Sequence, residues 1–88
     1  MYYTIYRTTN TLNGKIYVGM HQTENLDDGY LGSGKVIKNS VSKYGKEIFH
    51  KEILFIFDTE EEMRQKEKEL VTDEFCLRDD TYNLTLGR

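Results

Sequence analysis

Residues 4–19 read Thr4-Ile5-Tyr6-Arg7-Thr8-Thr9-Asn10-Thr11-Leu12-Asn13-Gly14-Lys15-Ile16-Tyr17-Val18-Gly19. The stretch alternates apolar and polar residues on either side of Asn13-Gly14, a pair that readily adopts the positive φ values of a tight turn. Strands are therefore expected over Tyr2–Thr8 and Lys15–Met20. Because side chains alternate between faces, Tyr3, Ile5 and Arg7 share one side of the first strand and Thr4 and Tyr6 the other. On the second, Ile16 and Val18 face one way and Lys15, Tyr17 and Gly19 the other. If the apolar residues mark the core, Tyr6 and Tyr17 both lie on the opposite face, on neighbouring strands. Cross-strand packing alone could account for such a pair.

Working outward, residues 21–34 are polar and include Asp28-Gly29-Tyr30-Leu31-Gly32-Ser33-Gly34. So many glycines suit a constrained loop whose backbone approaches something closely. The loop lacks the Lys-Ser/Thr ending and the strand–loop–helix setting of a nucleotide-binding loop. Ser33 is a candidate cap for a helix over Lys35–Tyr44, with Ile37, Val41 and Tyr44 on its buried stripe and Gly45 as its stop. Phe49–Phe57 is apolar enough for a strand covered on both faces, although a short buried helix has the same pattern. Thr59-Glu60-Glu61-Glu62 forms a capping box that opens a second helix, expected to run to about Phe75. Residues 77–81 make a charged turn, and Tyr82-Asn83-Leu84-Thr85-Leu86 would form a short closing strand.

The order of elements implies one small α+β domain spanning residues 1–88, without repeats, low-complexity segments or linkers. The chain is 38% hydrophobic and 12% aromatic, including seven tyrosines, which marks it as folded. A single cysteine, Cys76, excludes an internal disulfide and a Cys-rich zinc site, and suits a small buried apolar residue. No apolar run approaches the roughly 20 residues that span a bilayer, and no basic-then-apolar leader is visible, so a cytoplasmic protein is expected. The net charge is −3, but it is unevenly spread. Residues 1–57 carry +2 and residues 58–88 carry −5, while Lys35, Lys38, Lys43, Lys46 and Lys51 face Glu47 alone within 35–51. Local patches rather than totals govern polyanion binding, although a lysine-rich helix face is also commonly just solvated.

Glu67 is the informative carboxylate. It lies four residues after Met63 and four before Val71, within the apolar stripe of the second helix. A carboxylate on an inward face is costly unless it is paired, hydrogen-bonded or bound to a metal. Arg7 or a lysine stem would be an ordinary structural partner.

Taken together, Thr4-Ile5-Tyr6, ten residues, Tyr17-Val18-Gly19, a helix, a strand, a helix bearing Glu67 and a terminal Tyr82-Asn83 resemble the GIY-YIG nuclease family over nearly the whole chain. The closest likeness is to phage-type members that resemble the catalytic domain of homing endonucleases. The resemblance implies a three-stranded antiparallel sheet flanked by helices. It also implies a metal-dependent DNA endonuclease or nickase that leaves 5′-phosphate and 3′-hydroxyl ends. Carried over, Tyr17 would activate or position the attacking water with Tyr6 in support, Glu67 would hold one Mg²⁺ or Mn²⁺, and Asn83 would buttress the site. Many relatives carry an arginine after the hairpin, whereas this sequence has none between Arg7 and Arg64. Lys35 is assigned as the replacement cation, and Tyr30 or His21 as the extra hydroxyl or imidazole. Lys15, Lys38, Lys43 and Lys46 are the expected DNA contacts. His50 reads as a surface histidine. Homing relatives add a DNA-reading domain that this sequence lacks, so a homodimer or a separate targeting partner is expected to supply the target. If the protein is phage-encoded, the host-cell cytoplasm is its place of action. The competing readings are a non-cleaving nucleic-acid-binding module on the same fold and, less well supported, a protein-interaction domain.

Overall fold

A computed structural model describes residues 1–32 and 34–83, and the alternating segment forms strand β1 over Tyr2–Asn10. It pairs antiparallel with β2 (Ile16–Thr23), placing Tyr6 opposite Gly19, Thr8 opposite Tyr17 and Thr4 opposite His21. Both strands run further than the sequence pattern suggests. Asn10 explains the turn between them: its Oδ1 accepts from Leu12 N at 2.9 Å, and its backbone exchanges bonds with Gly14 and Lys15. Gly14 sits at φ 77°, a conformation that favours glycine.

Phe49–Phe57 is a strand, β3, and it pairs antiparallel with the other side of β1. The sheet order is β2-β1-β3, with a register shift between Ile5 and Tyr6. An edge position leaves β3 less covered than its apolar sequence implies: Phe55 is 40% and Ile56 51% exposed, so the expected cover on both faces is absent. Arg7 pairs with Glu52 across the β1–β3 ladder.

Each face of the sheet carries a helix. On one face Ile5, Val18 and Met63 form a core with Tyr3, Met20, Leu54 and Phe57 around them. This core receives helix α2 (Glu60–Leu70), whose start is fixed by Thr59 Oγ1 accepting from Glu62 N at 3.2 Å. The helix ends before Phe75, contrary to expectation. Val71 leaves helical geometry, and Thr72 caps a separate turn, α3 (Asp73–Cys76). On the other face Ile37, Phe49 and Tyr82 pack with Tyr17, Leu31 and Val41 beneath α1 (Lys35–Tyr44). Gly34 holds the cap position of α1, while Ser33 and residues 84–86 fall outside the described residues. Ser40 rather than Tyr44 completes the buried stripe of α1, because the Ser40 hydroxyl reaches Tyr82 OH at 2.8 Å whereas Tyr44 is 37% exposed. The polar residues of β1 that α1 covers are satisfied: Thr4 Oγ1 donates to His21 O at 2.7 Å and Thr8 Oγ1 to Leu31 O at 2.8 Å.

The outer edge of β2 is taken up by residues 80–83. Ile16 N donates to Asp80 O and Tyr82 N to Ile16 O, both at 2.8 Å, which makes a parallel bridge between Ile16 and Thr81. One residue further, the Asn83 side chain continues the ladder. Its Oδ1 accepts from Val18 N at 2.9 Å and its Nδ2 donates to Val18 O at 2.7 Å. Among the described residues, no helix is long and apolar enough to cross a membrane.

Candidate active site

Tyr6 and Tyr17 share the α1 face, as the alternation requires, with ring centroids 6.2 Å apart. Tyr6 is 1% exposed, so its face is covered rather than open. Burial holds the Tyr6 phenol far above its ordinary range, reinforced by the neighbouring Tyr17 and Tyr30 hydroxyls with which it hydrogen-bonds. Tyr6 is therefore a neutral hydrogen-bonding group and not a proton acceptor of the phenolate kind. Gly19 makes the arrangement sterically feasible. A Cβ at that position would lie 2.7 Å from Tyr6 Oη and 3.0 Å from Tyr17 Cε2. Gly32 serves the other side of the slot, since a Cβ there would stand 3.1 Å from Tyr17 Cε2. Gly19→Ala is accordingly expected to destabilise the domain by about 1–3 kcal/mol through overpacking, and to displace Tyr17. Thermal denaturation reads the first effect, and the loss of the Tyr6–Tyr17 contact in a structure of the variant reads the second.

Tyr17 and Glu67 meet at the β2 edge, in a cleft of about 540 Å³ that Lys68, Asp73, Tyr82 and Asn83 also line. Glu67 is half-buried, and its carboxyl is raised above the ordinary range by burial, with Arg64 and Lys68 pulling weakly the other way. Among the described residues its carboxylate makes no hydrogen bond or ion pair; Arg7, its foreseen structural partner, is held by Glu52. The Cys76 thiol beside it is pushed up by burial and by the Asp73 and Glu67 charges. Among the described residues no group of three or more His, Cys, Asp or Glu side chains could hold a metal. Glu67 would thus be a lone protein carboxylate, a donor set that fits Mg²⁺, which retains waters and takes its other ligands from substrate phosphates.

A second group lies on the far side of Tyr6. The His21 and Tyr30 rings stack with centroids 3.8 Å apart and 6° between their planes, and Tyr6 meets Tyr30 edge-on at 5.7 Å. Lys51 Nζ stands 5.4 Å from the Tyr6 ring centroid and 5.9 Å from that of Tyr30. Both candidates for the extra group, His21 and Tyr30, are therefore brought beside Tyr6. Lys35 is placed elsewhere: it is exposed at the start of α1 and does not line the Tyr17–Glu67 cleft, although its neighbour Gly34 does. Lys38 and Lys46 border a hollow shared with Tyr30 and Val41. Lys43 lies over the Tyr44 ring and Lys15 over that of Tyr82. Asn83 is 8% exposed and turned onto Val18, placing it as a support for the strand that carries Tyr17.

Sequence reasoning missed Lys51 and Asp28. Lys51 had been grouped with the solvated patch, and only the β1–β3 register, Thr8 opposite Lys51, turns it toward the tyrosines. Asp28 looked like a turn former in a glycine-rich loop, and nothing local announces its contacts to β2 and β3. Tyr82 was read as part of a strand, yet its hydroxyl joins Ser40, Asn10 and Asn13 at 2.8, 3.1 and 3.3 Å.

Comparison with known proteins places this geometry beside endonuclease names. The chain is 58% identical over 87 residues to "Putative endonuclease segB" of Enterobacteria phage T4, covering 99% of this chain and 39% of that protein. It is 53% identical over 87 residues to "Putative endonuclease segD" of the same phage, with 99% and 39% covered. "Endonuclease segA", also of phage T4, is 43% identical over 82 residues, covering 93% of this chain and 37% of that protein. The chain thus spans about two fifths of the length of these curated relatives. No family model and no solved structure matches it.

Proposed function

We propose that the chain is a GIY-YIG-type nuclease domain that hydrolyses DNA phosphodiesters, with the cleft between Tyr17 and Glu67 as its reaction site. The observation that carries this reading is a half-buried Glu67 carboxylate, without a hydrogen-bond or ion-pair partner among the described residues, sharing a cleft with Tyr17, which hydrogen-bonds Tyr6. Endonuclease names on relatives of up to 58% identity support it.

Glu67 would hold a single Mg²⁺ or Mn²⁺, which when bound supplies charge neutralisation at the scissile phosphate. The rest is the work of the chain. Tyr17 faces the cleft and orients the attacking water; a free tyrosine with a pKa of about 10 needs a nearby cation to act as a base. Tyr6, held neutral by burial, fixes the Tyr17 hydroxyl by hydrogen bonding. Gly19, Gly32 and Asn83 hold the Tyr17 ring and strand in place, so the reacting groups need no rearrangement. Lys38 and Lys46, with Lys15 and Lys43 further along, give the DNA backbone a basic path. The products are 5′-phosphate and 3′-hydroxyl ends. A single site cuts one strand at a time, and double-strand cutting would call for a homodimer or a targeting partner.

Plasmid incubated with the protein should convert from supercoiled to nicked form with Mg²⁺ or Mn²⁺ and remain supercoiled with EDTA. Binding to DNA without metal should weaken steeply as salt rises. A protein that binds DNA with this salt dependence but cuts with neither metal would be a binding module instead.

A further inference from the structure

Asp28 belongs to no helix or strand, yet four groups converge on its carboxylate. His21 Nε2 lies 2.7 Å from Oδ2, and Thr23 Oγ1 donates to the same oxygen at 2.8 Å. The Tyr30 backbone N–H donates to Oδ1 at 3.0 Å, and Lys51 Nζ stands 3.4 Å from it. A bond to the backbone two residues on is what an aspartate does in many loops. The other contacts draw side chains from β2 and β3 to one point of a loop that crosses the sheet. They are sheltered as well, the side chains of His21 and Lys51 being 20% and 13% exposed.

We infer that Asp28 is a positioning residue for the cleavage proposed above, acting through His21 and Lys51. The inference rests on that cleavage reading. An ionised carboxylate only accepts, so His21 Nε2 carries a proton and Nδ1 keeps its lone pair for a second partner. The same contact fixes the imidazole plane flat on Tyr30, which hydrogen-bonds Tyr6. Through Oδ1, Asp28 also brings the Lys51 ammonium to the Tyr6 and Tyr30 rings. The groups facing His21 are Asp28 and Thr23 at Nε2, Tyr30 on the ring face and Tyr6 at its edge, with Lys51 across Asp28. The Tyr30 amide, followed by His21, Thr23 and Lys51, holds the Asp28 carboxyl below the usual carboxylate range despite some desolvation.

The test is steady-state cleavage of a duplex oligonucleotide with Mg²⁺, read as separate kcat and KM. Asp28→Asn should lower kcat by about ten- to a hundredfold with KM little changed. His21→Gln should lower kcat as well, and the double variant should lose less than the product of the two single losses, because part of the Asp28 effect runs through His21 and part through Lys51. Asp28→Glu should recover part of the loss. In the parent, ¹⁵N NMR of the imidazole should show the proton on Nε2. An unchanged kcat in Asp28→Asn, losses that multiply in full in the double variant, or a proton on Nδ1 alone would overturn the positioning role while leaving cleavage intact. If the parent cuts with neither Mg²⁺ nor Mn²⁺, the cleavage reading and this role fall together. Should Asp28→Asn prove unfolded by circular dichroism, the tautomer measurement and Asp28→Glu decide.

Discussion

On the proposed reading, Glu67→Ala should lower metal-dependent nicking by at least about a thousandfold, the order expected when a Lewis acid and its charge stabilisation are lost together. It does so without unfolding the domain. Glu67 stands within four residues of the end of α2, where the helix dipole disfavours an anion, and it is half-buried without a partner among the described residues. Alanine removes both penalties and has the higher helix propensity, so the variant should be more stable by about 0.5–1 kcal/mol. DNA binding measured without metal should persist. The pH dependence follows from the raised carboxyl. Only the ionised form holds a metal, so at sub-saturating Mg²⁺ cleavage should fall, as pH drops, at a higher pH than an ordinary glutamate would give. Stability runs the opposite way: a raised carboxyl favours folding at low pH, and that favour is lost as pH rises through its folded value. Nicking assays and thermal melts on parent and variant check both. A variant that loses activity together with its melting transition would show Glu67 to be structural.

Asn83→Ala should have the largest effect on stability. Its side chain is the partner of both backbone groups of Val18, a residue only 6% exposed. Removing it leaves a buried N–H and a buried C=O unsatisfied, at about 1–3 kcal/mol each, against the 5–15 kcal/mol that holds a typical domain together. The melting temperature should fall by at least about 10 °C for a chain of this size. Asn83→Asp should not rescue it, because it restores the acceptor for Val18 N–H but sets a carboxylate against Val18 C=O. Tyr17 shares the cleft wall with Asn83, so cleavage should decline before the fold is lost, which nicking below the melting transition can measure.

Where periodicity and local turn chemistry decide the structure, the sequence was sufficient. The alternation in β1, the Asn13-Gly14 turn, the Gly45 stop and the Thr59 cap each act within a few residues, and the hairpin and both longer helices follow from them, whereas the three-stranded sheet was implied by the family resemblance. The inward position of Glu67 was legible by the same spacing argument. What periodicity cannot convey is which strand lies at an edge. Phe55 and Ile56 read as buried because they are apolar, yet among the described residues β3 has no strand on its outer side. Nor can it convey register between distant strands, and so Lys51 passed for a surface lysine. The early end of α2 has a local cause, Thr72, whose capping signal was overlooked because apolar residues continue beyond it to Phe75. Asp28 was least accessible, since its role depends on side chains from two strands meeting one loop.

The outer edge of β2 is completed by residues separated from it by 65 positions in the chain. The tyrosine pair is encoded near the start, and the wall that supports it near residue 83. During synthesis the hairpin emerges long before Tyr82 and Asn83, which must dock before the cleft exists. Contacts of such long range form late in folding. A partly made chain, or one cut before Tyr82, would therefore carry both tyrosines without a finished site. A chain that cleaves DNA would thus acquire that capacity only near the end of this segment's translation.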